Sequence, residues 1–330
     1  MKVSVLLSAY NAEKYLPEAI ESILNQTFTD FEFIIINDAS TDKTKEIIEN
    51  YAKQDKRIRL IHNTYNLGLT KSLNVGIREA QGEYIVRLDA DDLSAPERLA
   101  RQYEFMEGNP KYALTGSWVK IIDENGQMLA KRQPPVETKL IKFHFIFGKP
   151  CIWHSSIFFR KDKIAKIGNY NEEYKYAQDL NLYVKLLKEE QITNVPEFLV
   201  SHRIHGNSLG RNNSEAQHLC YLKSIFELIN ESYAKIGWDE LVQRDEARNQ
   251  KTKKIKNLIS ALKIDGLIYR KFLQKEQLNT KQSAEAKELY RRKRNLMVKG
   301  YLKNKMPKIY AALKNEPRDP SPAELNAGSG

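Results

Sequence analysis

The sequence predicts an α/β fold built on a doubly wound sheet, followed by a helical extension. Three observations carry this. Short runs of branched and aromatic residues alternate with helical periodicity through the first hundred residues. From residue 112 a hairpin pattern takes over, so the sheet is expected to become mixed. The charge is also uneven: residues 1–210 hold 28 Lys and Arg against 28 Asp and Glu, while 211–330 hold 25 against 14, which is the whole net charge of +11. Three segments follow: an α/β body at 1–210, a basic helical region at 211–314, and a tail at 315–330 that lacks periodicity and is expected to be disordered.

Val3 to Ser8 reads as a buried first strand, too short for a signal peptide. Asn11 opens a helical pattern with Leu16, Ile20, Ile23 and Leu24 on one face. A second strand, Phe31 to Ile36, ends at Asn37-Asp38-Ala39-Ser40, and Thr41-Asp42 start the next helix. Ile58 to Ile61 is a third strand, followed by Asn66-Leu67-Gly68 and a helix carrying Leu73 and Ile77. The fourth strand ends abruptly in Asp89-Ala90-Asp91-Asp92. Ser94 with Glu97 three places on reads as a capping box, and Pro96 suits the first turn of a helix. Beyond it lie a hairpin (Tyr112 to Ile122, then Gln127 to Ala130), a strand at Ser155 to Arg160, a helix within Tyr174 to Glu190 and a strand from Phe198 to Ile204.

Composition narrows the function classes. No apolar run approaches the roughly 18 residues needed to span a bilayer. Cys151 and Cys220 are the only cysteines, so no disulfide framework is implied and a reducing cytosol fits. Neither a Gly-x-Gly-x-x-Gly after the first strand nor a P-loop occurs, so a bound nucleotide must be held by side chains at the strand ends. His62, His144, His202 and His218 have no zinc-site spacing. The acids at 89–92 sit where open α/β sheets place their ligand crevices. Mg²⁺ or Mn²⁺ takes one or two carboxylate oxygens there and fills its shell from phosphates and water, so the stretch reads as a metal-diphosphate site.

Seven stretches in order resemble family 2 glycosyltransferases of the GT-A fold: Val3 to Asn11, Ile36 to Asp42, Asn66-Leu67-Gly68, Leu88 to Asp92, His154-Ser155-Ser156, Ala177-Gln178-Asp179 and Arg203-Ile204-His205. The resemblance covers residues 1 to about 210 and implies inverting sugar transfer from a nucleotide-diphosphate donor, most simply UDP-hexose or UDP-N-acetylhexosamine, to a hydroxyl of a glycan or lipid-linked acceptor. It implies that Ala9, Tyr10 and Asn11 border the base, that Asp38 accepts from the uracil N3–H, and that Asp89 and Ala90 lie near the ribose. Asp91, with Asp89 and His205, would hold Mn²⁺ or Mg²⁺; Lys71 and Arg203 would face the donor as cations; Asp179 would be the catalytic base. Two departures stand out: Gln178 precedes Asp179 where the family usually has Glu, and Asn37-Asp38-Ala39-Ser40 stands where Asp-Asp-Gly-Ser is commoner. Trp118 and Trp153 suit sugar stacking, but residues of this kind are more often part of a core or hairpin.

The region after 210 reads as several helices. Leu289, Leu296, Val298, Tyr301, Leu302 and Met306 fall near helical spacing among Arg291 to Arg294, Lys299, Lys303 and Lys305, with Pro307 as a breaker. Such a stretch, 289–314, suits an anionic membrane surface, and the protein is then expected in the cytoplasm, peripheral at the inner face of the plasma membrane. A packed appendage or an oligomerisation element with a solvated basic face explains the same pattern. No nucleic-acid partner is expected, because no recognised module accompanies the charge. The competing functions are nucleotidyl transfer to a sugar phosphate, which needs the missing Gly-rich loop, and a non-catalytic glycan-binding relic, which would not need its four Asp side chains.

Overall fold

The structure is a computed structural model that describes residues 1–148, 150–206, 215–251 and 254–307. It divides into two units, Met1–Ser232 and Tyr233–Gly330, at a later point than the change in charge near 210. The expected tail at 315–330, and residues 308–314 of the basic stretch, lie outside the described residues.

In the first unit, β1 (Val3–Ala9), β2 (Phe31–Asn37), β3 (Ile58–His62) and β4 (Tyr84–Asp89) alternate with α1 (Leu16–Leu24), α2 (Thr44–Gln54) and α3 (Leu69–Glu79). Then come β5 (Leu93–Ser94), α4 (Arg98–Gly108), β6 (Tyr112–Ile122), β7 (Met128–Arg132), α5 (Thr138–Phe147), β8 (Phe158–Arg160), α6 (Lys161–Lys166), α7 (Gln178–Glu189), β9 (Gln191–Arg203) and α8 (Glu215–Ser232). The sheet runs β3-β2-β1-β4-β8-β6-β9-β5, with β7 paired to β6. β1 to β4 are parallel, and β8 enters antiparallel between β4 and β6. The sheet is therefore mixed, as the change of pattern at residue 112 predicts.

β1 and β2 are almost wholly buried on both faces, which is why they read as continuous apolar runs. Val5, Leu7, Phe33 and Ile35 pack with Leu16, Ile20 and Ile23 of α1. On the opposite face Leu6 and Ile36 crowd Gly76 of α3 so closely that an added Cβ would sit 3.0 Å from Ile36. The registers set Ser8 beside both Ile36 and Asp89, so β1, β2 and β4 end at one level. Strand order reverses between β1 and β4, and that reversal opens a crevice at their carboxyl ends.

Several local expectations are corrected. α1 begins at Leu16 rather than Asn11, because Asn11 is left-handed (φ 48°) and its Oδ1 accepts from the Thr41 N–H at 2.8 Å. No capping box forms at Ser94: the residue belongs to β5, its Oγ accepts from Arg98 at 3.0 Å, and α4 starts at Arg98 without a side-chain cap. The strand expected over Ser155 to Arg160 covers Phe158–Arg160, preceded by a 3₁₀ turn at His154–Ser156. α5 was not foreseen, since Leu140, Ile141, Phe143 and Phe145 to Phe147 are all buried and its few polar positions set only a weak period.

The second unit contains α9 (Trp238–Arg248), α10 (Ile255–Glu276) and α11 (Thr280–Lys305). Ala247, Leu258, Ala261, Met297 and Tyr301 form its core, so part of the apolar pattern that suits a bilayer is used in packing. α11 stops at Lys305, just ahead of Pro307.

Candidate active site

The crevice is built outward from β4. Arg87 and Asp89 lie two residues apart on one strand and so share a face. Arg87 is buried, and its guanidinium forms a two-pronged ion pair with the Asp89 carboxylate. Ser155 donates its hydroxyl to Asp89 Oδ2 at 2.6 Å, and Arg87 donates to the same hydroxyl at 3.2 Å. Burial pushes the Asp89 carboxyl up, but the charge of Arg87 and the hydrogen bonds from Arg87 and Ser155 outweigh it and leave it at about 2. Asp89 is thus an ionised, pinned carboxylate.

Asp91 is the opposite case. It is 30% exposed, and His205 Nε2 lies 2.8 Å from its Oδ2. Burial first, then repulsion from Asp89 and Asp92, raises its pKa to about 6. Asp92 is fully buried; it accepts from the Arg203 backbone N–H at 2.8 Å and lies 3.0 Å from His202 Nδ1. Burial alone would lower the His202 pKa, but its bond to Asp92 raises it to about 9, so His202 is cationic at neutral pH. Two sheet segments far apart in sequence are thereby tied together behind the acids.

One ligand atom each from Asp89, Asp91 and Asp92 falls within 4.8 Å of the others, a spacing that fits a divalent cation. Two of the three are already committed, Asp89 to Arg87 and Asp92 to His202 and Arg203. Asp91 and His205, already 2.8 Å apart, are one acid and one imidazole that a cation could share. One carboxylate and one imidazole, with diphosphate oxygens completing the shell, suit Mn²⁺ and accommodate Mg²⁺.

Arg203 does not occupy the place expected of a phosphate-binding cation. It is 1% exposed, and donates to the Asp91 carbonyl at 3.0 Å, the Glu124 carbonyl at 3.2 Å and Glu18 Oε2 at 2.7 Å, with its guanidinium 4.6 Å above the Tyr15 ring. Its planar fork holds the acidic loop in place. Asp38 is likewise buried and turned inward: it accepts from Asn63 at 2.7 Å and from the Leu67 and Gly68 N–H groups at 2.9 Å each, folding the turn that opens α3. Ala9 is buried at the end of β1, Tyr10 is half exposed, and Lys71 is exposed in the first turn of α3. Ala90, between the two acids, is partly buried against the core.

Asp179 lies in the first turn of α7, after Ala177 in a left-handed conformation (φ 52°). Burial raises its pKa; the Leu180 N–H and the charge of Arg87 partly offset this, while Asp89 adds to it. Asp179 is therefore electrostatically coupled to the Arg87–Asp89 pair. His154 Nε2 is 2.7 Å from the Tyr170 hydroxyl, and burial with the nearby Arg87 keeps this imidazole neutral. Sequence reasoning missed Arg87 and left Asp92 without a role. The signal for Arg87 was present: a lone cation inside an apolar strand, two residues before an acid, has to pair with it.

Against known proteins, residues 4–168 match the family described as "Glycosyl transferase family 2". The chain is 42% identical over 206 residues to the uncharacterized glycosyltransferase MJ1057 of Methanocaldococcus jannaschii, covering 61% of this chain and 70% of that one. It is 31% identical over 232 residues to the O-antigen biosynthesis glycosyltransferase WbnJ of Escherichia coli, covering 69% and 89%. Among solved structures, S. aureus TarS 1-349 in complex with UDP-GlcNAc superposes with a TM-score of 0.60 at 20% identity, over 91% of this chain and 89% of that one. The mannosyltransferase PcManGT of Pyrobaculum calidifontis, in complex with GDP-Man and Mn²⁺, gives 0.53 at 16% identity, over 95% and 86%. The mixed sheet with its helices is thus that of the GT-A fold, a C-terminal helical region follows it, and the chain belongs to glycosyl transferase family 2 and is a glycosyltransferase.

Proposed function

We propose that the protein is an inverting, metal-dependent glycosyltransferase that moves a hexose or N-acetylhexosamine from a UDP donor to a hydroxyl of a growing glycan or lipid-linked acceptor in surface polysaccharide synthesis at the cytoplasmic face. The observation that carries the reading is a carboxylate pinned by Arg87 (Asp89) grouped with an adaptable carboxylate–imidazole pair (Asp91 and His205); a third carboxylate, Asp179, whose pKa burial raises, feels the charges of Arg87 and Asp89 and supports it. The WbnJ relative supports the polysaccharide setting, and the UDP-GlcNAc and GDP-Man/Mn²⁺ complexes support a nucleotide-sugar donor with a divalent cation.

In this reading Asp91 and His205 would hold a divalent cation, whose chemistry would be to supply positive charge where the leaving diphosphate develops its negative charge. Arg87 and Ser155 keep Asp89 ionised and oriented toward the donor ribose. Tyr10, Asn11 and Asp38 border the base, Asp38 by shaping the turn at 66–68. Lys71 is placed to meet donor negative charge. Asp179 takes the proton from the acceptor hydroxyl as it attacks the anomeric carbon from the face opposite the diphosphate, which inverts the configuration.

Release of nucleoside diphosphate from UDP-GlcNAc, UDP-Glc and GDP-Man, with Mn²⁺ or with chelator, tests the reading. Mn²⁺-dependent release from a UDP-sugar is expected. Asp179→Asn should slow it by about 10²–10⁴-fold, the usual worth of a positioned base, while donor affinity is kept. Release from GDP-Man alone would reassign the donor, and no release joined with no nucleotide binding would leave the non-catalytic relic.

A further inference from the structure

The second unit carries a feature that the sugar-transfer reading does not use. α10 and α11 are joined by residues 277–279 and run back along each other. Their inner faces meet in the core already described. Outside it lies a groove of about 490 Å³. Its floor is Tyr269 stacked on Tyr290, with ring centroids 3.9 Å apart and planes 1° from parallel. Lys263, Arg270 and Arg294 stand around it, all exposed, and Arg294 also lies 5.6 Å from the centre of the Tyr290 ring. None of the described residues lining the groove is acidic. Asp265, from the middle of α10, is buried and bonded to Arg244 and Arg248 instead.

Apolar side chains continue the groove outward. Ile255, Ile259 and Leu262 form one stripe on α10 at spacings of four and three, and Tyr290, Arg294 and Val298 form another on α11 at spacings of four. Ile255, Ile259 and Val298 are exposed by 52%, 47% and 36%. The two helices together carry 14 Lys and Arg against 4 Asp and Glu. Exposed aliphatic residues interleaved with cations along one face are the chemistry of a peripheral bilayer contact. A nucleic acid would use the cations but gives no partner to Ile255, Ile259 and Val298. A second copy of the same face would bring two strongly cationic surfaces together.

We propose that this face of α10 and α11 docks on an anionic bilayer, with Lys263, Arg270 and Arg294 against lipid phosphates and the aliphatic residues at the headgroup–acyl boundary. The site lies within the α10–α11 pair, not along 289–314 alone, and it stands independently of the donor site.

The test is co-sedimentation of the full chain with vesicles of phosphatidylcholine alone or mixed with phosphatidylglycerol. Binding to the mixed vesicles only, weakening as salt is raised, is expected. The triple variant K263E/R270E/R294E should lose affinity by about a hundredfold or more, given what each cation contributes near an anionic surface. I259S/V298S should weaken binding at constant charge. Nucleotide titration of each variant should match the wild type, which separates this result from the donor-site reading. Failure of the full chain to bind mixed vesicles, or equal binding by the triple variant, would overturn the proposal. So would a dimer in the wild type that dissociates in the triple variant, or tighter binding to single-stranded RNA than to vesicles.

Discussion

At the residue scale the three acids that follow β4 are chemically distinct although the sequence writes them alike. Arg87 makes Asp89 a permanent anion, the His202 bond makes Asp92 a structural tie, and Asp91 alone keeps an adjustable proton. A metal ligand must be deprotonated, so the sign is clear: a cation competes with a proton on Asp91, and apparent Mn²⁺ affinity should fall by about tenfold per pH unit once pH drops below about 6. Calorimetric Mn²⁺ titrations between pH 5 and 8 (a window of roughly one to two units either side of that value) check this; a flat affinity would remove Asp91 from the metal shell. Arg87→Met leaves Asp89 beside two other carboxylates without its counter-charge. The loss should be about 2–3 kcal/mol in urea unfolding, below that of a fully buried pair because Asp89 keeps some solvent.

At the scale of elements, β1 and β2 were legible because burial on both faces writes them as unbroken apolar runs, and Leu6, Ile34 and Ile36 need no context to be read. What was illegible depended on partners distant in sequence. Ser94 carries the local signature of a cap, yet β9 pairs with it and Arg98 occupies its hydroxyl. Arg203 looks like a free phosphate-binding cation until Glu18, Glu124 and the Asp91 carbonyl are seen to surround it. Asp38 and Asp179 were singled out by motif order, and only the structure shows Asp38 closing the turn before α3. The departure at Ala39 has a backbone cause: the residue is left-handed (φ 58°), where Gly is unstrained. Ala39→Gly should therefore stabilise the protein by about 1 kcal/mol, read as a higher urea midpoint, and an unchanged or lower midpoint would contradict the strain. His202 ties β9 to the acidic loop. Its pKa rises from 6.5 to about 9 on folding, so its stabilising contribution is complete below pH 6.5 and fades as pH climbs through 9. The stability gap between wild type and His202→Gln should narrow from pH 6.5 to 9 (the interval between the two pKa values); a constant gap would show that the bond does not depend on the proton.

At the scale of the whole chain, charge divides the labour. The body of residues 1–210 is neutral overall and groups Asp89, Asp91 and Asp92 in one crevice, and the following region carries the entire +11. That asymmetry was plain in the sequence. The division between the two units was not, because α8 lies beyond the change in charge near 210 yet belongs to the first unit. Among the described residues no helix is long and apolar enough to cross a membrane.

The most direct test of the central claim is calorimetric titration of UDP into the protein, with Mn²⁺ and with chelator, repeated on Asp91→Ala. The account predicts UDP binding that requires Mn²⁺ and is lost in the variant. Binding that is equally tight in chelator, or unchanged by Asp91→Ala, would contradict a diphosphate site organised by a cation on Asp91.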